Sequence, residues 1–573
     1  MGGAGTVRTA AGGQVYDPRS ARNMLVILAG MALMVTYVET MVLPSFENFT
    51  VFFDYPPAST VVWILSAYLL VGVVATPVFG KLGDIYGKKR MLLVAMGIYA
   101  VAVSIAGFTP SIGTALGVSV PDQIYLLIGA RAFQGIGMGM FPLAFAMIPE
   151  FYPARDVGRA QGIISAMFAG GAVVGLVGGG WLAQDYGWEF TYHTVIPFAV
   201  VLPSLAYGIL RESPTRTGEG MDIPGISSLG LGLAFLMLAI TESSYWGWTR
   251  FTGGSVGGVP FGVPEFLLLA LACFGFFGAW EGRARSPVIR LRSLKERNIL
   301  VSNVNGVIAG LVMFLTFTTL TIVLELYYTP GISLTGFGQS EFWMGIVAVP
   351  AALSMLLLGM PIGRLTSRLG PKPVMLVGFG LTAAGGILLS QYGNPAWHLG
   401  LWTTGSPAVY LGGILVNQPQ PVPLILVLGS ILVLVGNVGV LIAMSNIIVL
   451  TVPPGELGVQ TGMNQTFRNL GSAVGPVMVS SIIAGFIARY TPDIPGIGRQ
   501  PIYEVAAFSW CFAALAAIGL LGLGLSAFLR NYRFTADGVR TGAPAGSAGA
   551  PAEGPYPRAI FPEETTATGR ARP

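Results

Sequence analysis

Glu39 lies inside an apolar run, in the stretch Val35-Thr-Tyr-Val-Glu-Thr-Met-Val-Leu-Pro44. A carboxylate withdrawn from water is costly in its charged form. A group placed this way can take a proton on one side of a barrier and release it on the other, which is the chemistry that proton coupling requires. The alternative is a vestibule carboxylate that only holds water or a cation. Arg131 also sits in apolar sequence and must find a carboxylate or carbonyl oxygens there. Gln134 lies one helical turn further on. Arg468, with Asn464, Gln465 and Asn469 around it, falls within two turns of the end of another apolar run, so it either lines an interior cavity or snorkels to the surface. Asn303, Asn305, Asn437 and Asn446 are polar positions that could face the same cavity, whereas Glu242 and Glu325, at run ends beside aromatic residues, read as solvated rim residues. Cys273 and Cys511 stand apart, and so do His193 and His398, so no metal site, cofactor or disulfide is expected.

The elements that position these residues follow from composition. Of 573 residues 53% are hydrophobic and 10% charged, where a soluble chain carries roughly 25% charged residues. Mean hydropathy is +0.69. A hydrocarbon core about 30 Å thick takes roughly 20 apolar residues of helix. Fourteen such runs can be marked, near 24–44, 59–79, 91–110, 124–148, 158–183, 191–211, 224–243, 264–281, 299–327, 341–362, 374–392, 424–451, 462–487 and 504–530. With the N-terminus in the cytoplasm, the Lys and Arg residues fall on the inner side, except Arg250, Arg489 and Arg499 outside and Arg131 and Arg468 within runs. That bias sets orientation in membrane proteins, and an even number of spans leaves both termini inside. The net charge of +5 is thereby read as topology rather than as nucleic-acid affinity. The segment 393–423 forms a long outer loop, part of which is expected to fold over the outer mouth. The tail 531–573, rich in Gly, Ala, Pro and charge, is expected to be disordered.

The chain repeats itself. Gly80-Lys-Leu-Gly-Asp-Ile-Tyr-Gly-Lys-Lys-Arg90 follows the second run and Gly363-Arg-Leu-Thr-Ser-Arg-Leu-Gly-Pro-Lys-Pro373 follows the tenth. Gly162, Gly171 and Gly175 in the fifth run match Gly462, Gly471 and Gly475 in the thirteenth. Such glycines permit close helix approach, as does Gly135-x-x-x-Gly139 in the fourth run. The expected fold class is an all-α polytopic membrane protein of two six-helix bundles plus two inserted helices. Its expected divisions are a cytoplasmic tail 1–23, a first bundle 24–211, a linker with two inserted spans 212–298, a second bundle 299–530 and the tail 531–573.

Gly80 to Arg90 resembles the cytoplasmic loop signature of the major facilitator superfamily. Arg131, Gln134, Gly135 and Gly137 resemble its fourth-helix signature, and Gly171-x-x-x-Gly175 with Gly179-Gly180 resembles its antiporter signature. Leu176 replaces the Pro usual after the second glycine, and the second copy has it as Pro476. Trp188 to Pro197 is similar to the family's sixth-helix start. Fourteen spans with a central inserted pair look like the drug:proton antiporter branch. The resemblance implies a cytoplasmic gate of Gly80, Asp84, Gly87, Lys88, Lys89 and Arg90, with Asp84 against the inner start of the thirteenth span. Ser367 stands at the matching place of the second copy, so that latch is one-sided. It implies a proton-transfer role for Arg131 beside Glu39, although the branch usually carries Asp, at a position one residue further from the Thr. It also implies rocking on the packed glycines Gly135, Gly139, Gly171, Gly175, Gly471, Gly475 and Pro476. The substrate cavity would hold Gln134, Asn303, Asn305, Glu325, Asn437 and Arg468. The expectation is a plasma-membrane monomer that exports amphipathic small molecules in exchange for protons. Import, export of one dedicated metabolite, or a sensor without flux are the alternatives. No nucleophile or acid/base cluster suggests an enzyme.

Overall fold

The computed structural model describes residues 17–541 apart from 55, 57, 153, 213–219, 250, 252–253, 257–258, 285–286, 288–290, 327, 329–335, 398–399, 412–413, 452–456, 487–492, 495–497, 500–502, 531 and 536–537. Its helices are α1 (Pro18–Met41), α2 (Phe46–Phe52), α3 (Ala58–Tyr86), α4 (Lys88–Gly107), α5 (Thr109–Ala115), α6 (Gln123–Gly135), α7 (Met140–Phe151), α8 (Ala154–Tyr186) and α9 (Trp188–Ile209). They continue as α10 (Ile223–Trp246), α11 (Val263–Glu281), α12 (Arg297–Glu325), α13 (Glu341–Leu369), α14 (Pro371–Ser390), α15 (Leu424–Thr451), α16 (Leu457–Ala484) and α17 (Val505–Ala527). Among the described residues twelve helical segments are long and apolar enough to cross a membrane. Two long helices, α8 and α16, are not in that set, so the expected fourteen stands at twelve on this criterion. These two are the glycine-rich and polar members, which lowers their hydropathy although they pack within the bundle against α1 and α12.

Helix boundaries moved for physical reasons. The first helix starts at Pro18, with Asp17 as N-cap accepting from the Arg19 amide and proline pre-set at the first helical position. The fourth run is one path broken by a 3-10 turn, Ile136–Gly139, between α6 and α7. At the corners α3/α4 and α13/α14, Gly87 and Gly370 take φ of 106° and 88°, a region that only glycine occupies without strain. The two corners are the repeated loops read from the sequence, and the same backbone turn recurs at both.

The packing repeats as well. Gly171 lies against the backbone of Leu33, and Gly175 against Tyr37 and Thr40, seating α8 on α1. Gly471 lies against the backbone of Val307, and Gly475 against Phe314 and Leu315, seating α16 on α12. Without a hydrophobic drive between helices in lipid, such backbone approach supplies dispersion contact. Gly135 abuts the carbonyl of Tyr68, and Gly139 abuts the Phe79 ring. The two halves of the chain meet along α3 with α16 and along α8 with α13. In the latter pair Gly180 faces the backbone of Glu341, and Gly345 faces that of Leu176.

Short antiparallel strand pairs lie outside the helices: β1 (Gly254–Val256) with β2 (Val259–Phe261), β3 (Leu401–Trp402) with β6 (Val422–Pro423), β4 (Val409–Leu411) with β5 (Ile414–Asn417), β7 (Asp493–Ile494) with β8 (Gly498–Arg499), and, after the last helix, β9 (Tyr532–Thr535) with β10 (Gly538–Thr541). The tail expected to be disordered thus opens with a hairpin, and its part beyond 541 lies outside the described residues. The long loop 393–423 is folded. Gln339 donates to the carbonyls of Phe337 (3.0 Å) and Gln420 (2.8 Å) and accepts from Ser406 (2.9 Å) and from Thr404. Asn417 donates to Gly338 O at 2.9 Å and accepts from Tyr328 N at 3.1 Å. The loop is therefore tied to the segment that leads into α13.

Candidate functional site

Glu39 lies at the far end of α1 and is 3% exposed; its Oε2 is buried without a hydrogen-bond partner. The guanidinium groups of Arg468 and Arg131 are the cations whose charge acts on it. The structure thus gathers three charged residues from α1, α6 and α16, two of them from the first half and one from the second. In a low-dielectric interior charges act strongly on each other, so the state of Glu39 is coupled to both helices.

Arg131 is fully buried. It donates through Nε to Ile64 O at 3.1 Å and through Nη1 to Gln134 Oε1 at 2.6 Å, and its guanidinium carbon lies 4.5 Å from the Tyr68 ring centroid. Nη2 has no acceptor. Helix spacing explains the Gln134 contact, since residues three apart share a face. Gln134, expected in the cavity, is thus the residue that orients Arg131. Around them Tyr68, Tyr99 and Tyr192 are buried hydroxyl-bearing side chains, none of which the sequence analysis singled out.

Arg468 is half-buried, with its guanidinium carbon 5.8 Å from the Phe168 ring centroid. α16 begins at Leu457, before the apolar run does, which sets Arg468 in the helix interior rather than within two turns of its end. Gln465 donates to Asn469 Oδ1 at 2.9 Å, and Asn469 donates to Thr76 Oγ1 on α3 at 3.3 Å. Asn464 reaches Ser302 O at 3.3 Å and Asn303 Oδ1 at 3.4 Å, while Asn303 donates to its own helix at Ile299 O.

Other expected cavity residues divide. Both amide atoms of Asn437 are buried and without a partner. Asn305 donates to Ser526 Oγ on α17 at 3.0 Å and to Met375 Sδ on α14 at 3.2 Å, tying α12 to both helices, while its Oδ1 is buried without a partner. Asn446 likewise donates to its own helix, at Ile442 O (2.9 Å). Glu325 is 3% exposed and so is not a solvated rim residue.

The loop signature is assembled by partners that the sequence analysis missed. Lys88 is 8% exposed and lies 2.6 Å from Glu150 Oε1 at the end of α7, against 3.6 Å from Asp84 Oδ1. Glu212, just past α9, accepts from the amides of Lys89 (3.0 Å) and Arg90 (3.1 Å), satisfying the open N-terminus of α4. Lys89 Nζ donates to Tyr207 O at 2.7 Å and lies 5.5 Å from that ring's centroid, which ties α4 to α9. A signal existed: Glu150 and Glu212 are acidic residues on the face where basic residues crowd. Among the described residues no group of His, Cys, Asp and Glu could hold a metal ion.

A bundle of apolar helices in two glycine-seated halves, with charge gathered between them, defines a multi-pass membrane protein of the transporter type. The family model described as Major Facilitator Superfamily matches residues 25–476 and 306–560, and the chain belongs to that superfamily. An uncharacterized MFS-type transporter of Mycobacterium tuberculosis is 26% identical over 497 residues, which cover 86% of this chain and 64% of that protein. The chain therefore matches less than two thirds of that relative's length. The multidrug efflux pump LfrA of Mycolicibacterium smegmatis is 24% identical over 489 residues, covering 82% of this chain and 84% of that one. Among solved structures, an auto-inhibited POT family peptide transporter superposes with a TM-score of 0.55 at 15% identity, over 89% of this chain and 97% of that one. At that identity the likeness concerns fold alone.

Proposed function

We propose that this protein is a proton-coupled secondary transporter that exports amphipathic small molecules by alternating access. The single observation that carries the reading is the Glu39–Arg131–Arg468 cluster, which draws one titratable carboxyl and two cations from both halves into the membrane interior. Loss or gain of a proton at Glu39 changes the attraction between α1 and α16, and so biases how the halves tilt. The name of the similar efflux pump supports a drug-like cargo.

In this reading α8 and α16 also span, giving fourteen spans. The first bundle is 24–211, the inserted pair lies in 212–298, and the second bundle is 299–530. Both termini lie in the cytoplasm of a plasma-membrane monomer. The backbone contacts Gly180–Glu341 and Gly345–Leu176, at the outer end of α8, support a state shut on the outside. Asp84, with Lys88 held by Glu150, latches the inner start of α16 in the opposite state.

The deciding experiment is flux in proteoliposomes under an imposed proton gradient. Gradient-dependent movement of an amphipathic dye that Glu39→Gln abolishes supports the proposal. Full coupled flux in that variant refutes the proton site, and no flux of any compound refutes transport.

A further inference from the structure

The charges inside the bundle do not balance. Arg131 and Arg468 are the cations that act on Glu39, and Glu39 is the carboxylate that acts on Arg468. Two guanidinium groups therefore share one carboxylate, and the sum is positive whether or not Glu39 holds a proton. In a medium that screens charge poorly, an unbalanced cation favours an anion and disfavours a further cation.

The two arginines are not equivalent. Arg131 is fully buried and committed to Ile64 O, Gln134 Oε1 and the Tyr68 face. Arg468 has no hydrogen-bond acceptor for its guanidinium among the described residues; it is half-buried, with an aromatic ring, Phe168, as its neighbour. No Glu39–Arg468 ion pair occurs among the described residues, and the carboxylate's Oε2 is buried and unpartnered. Arg131 Nη2 is a second buried donor without an acceptor. Donors are thus in surplus and the fork geometry of Arg468 suits a planar oxyanion.

We propose that the central site binds a monovalent organic anion, a carboxylate or sulfonate on an apolar body. Arg468 takes the acidic group, and Phe168 offers the face on which the apolar body rests. This names the cargo class for the cluster assigned above to coupling, and so rests on the transport reading. An inside-negative potential pushes such a cargo outward, the direction of export.

A matched pair of fluorescent probes tests it on the full chain in lipid nanodiscs, with empty nanodiscs subtracted. Dansylglycine carries a carboxylate and dansylcadaverine an ammonium on the same ring system. The expected result is that dansylglycine binds at least about 10-fold more tightly, that Arg468→Gln removes this preference, and that Arg468→Lys retains part of it. Equal or tighter binding of dansylcadaverine overturns the inference, as does unchanged dansylglycine affinity in a folded Arg468→Gln protein. Should Arg468→Gln not fold, Arg468→Lys decides: a loss of dansylglycine affinity supports the proposal, and wild-type affinity overturns it. Proteoliposomes separate this from the transport reading. Binding through Arg468 without flux removes transport and keeps the anion site, whereas flux of dansylcadaverine alone keeps transport and removes the anion site.

Discussion

Thr76 on α3 and Asn469 on α16 meet at 3.3 Å, a hydrogen bond between residues 393 positions apart that joins the first half of the chain to the second. Both are buried, so neither has water to fall back on when the bond opens. A pair of this kind holds the halves in register and must break if they tilt apart along α3 and α16. A double-mutant cycle with Thr76→Val and Asn469→Ala, read by thermal unfolding in detergent, should give a coupling of about 0.5–1.5 kcal/mol. Strictly additive effects would show that the contact contributes nothing.

Glu39→Gln keeps the size and hydrogen-bonding capacity of the side chain and removes its titration. Proton-driven flux should fall at least about 10-fold, or 1.4 kcal/mol, while binding of cargo measured without a gradient persists. A parallel loss of binding would assign Glu39 to holding the substrate and not to coupling.

The Lys88–Glu150 pair at 2.6 Å is buried on both sides, with side chains 10% and 6% exposed. Removing Lys88 takes a buried charge partner from Glu150, a change of the kind that costs about 3–5 kcal/mol for fully buried pairs. Lys88→Met should therefore lower thermal stability sharply, and adding Glu150→Met should recover much of the loss. If the double variant is no better than the single one, Lys88 acts mainly through Asp84.

The glycines separate into those that touch backbone and those that do not. Gly471→Val would drive a side chain into the Val307 carbonyl and should abolish properly folded protein, judged by monodispersity after extraction. Gly462→Ala, which meets open space, should change stability by no more than about 1 kcal/mol, in the stabilising direction. Equal tolerance at both positions would remove the argument for a glycine-seated α12–α16 contact.

Much of this architecture was legible because the bilayer imposes simple rules. Apolar runs of span length and the paired motifs at Gly80 and Gly363 each follow from local sequence. Glycines at 171, 175, 471 and 475 could be read as packing positions because few other residues permit backbone contact. Glu39 and Arg131 stood out as charges in apolar sequence. What was hidden depends on which helices become neighbours. Glu150 and Glu212 look like ordinary boundary residues until α7 and α9 bring them to Lys88 and to the start of α4. Asn305 and Asn437 are chemically identical in sequence, yet one bonds Ser526 and the other is left without a partner. The start of α16 was not legible because hydropathy marks where a helix becomes apolar, whereas the backbone hydrogen bonds of α16 begin earlier.

The stitching of 401–423 to Gln339 and Gly338 gives the second half a crown of its own. Because the backbone N–H of Ser340, the N-cap of α13, also donates to Ser406 Oγ at 3.1 Å, the crown and that helix form one lever. A spectroscopic label placed on Trp397, half exposed at its edge, would report the swing of α13 against α8 from a site that touches neither the charge cluster nor the loop signature.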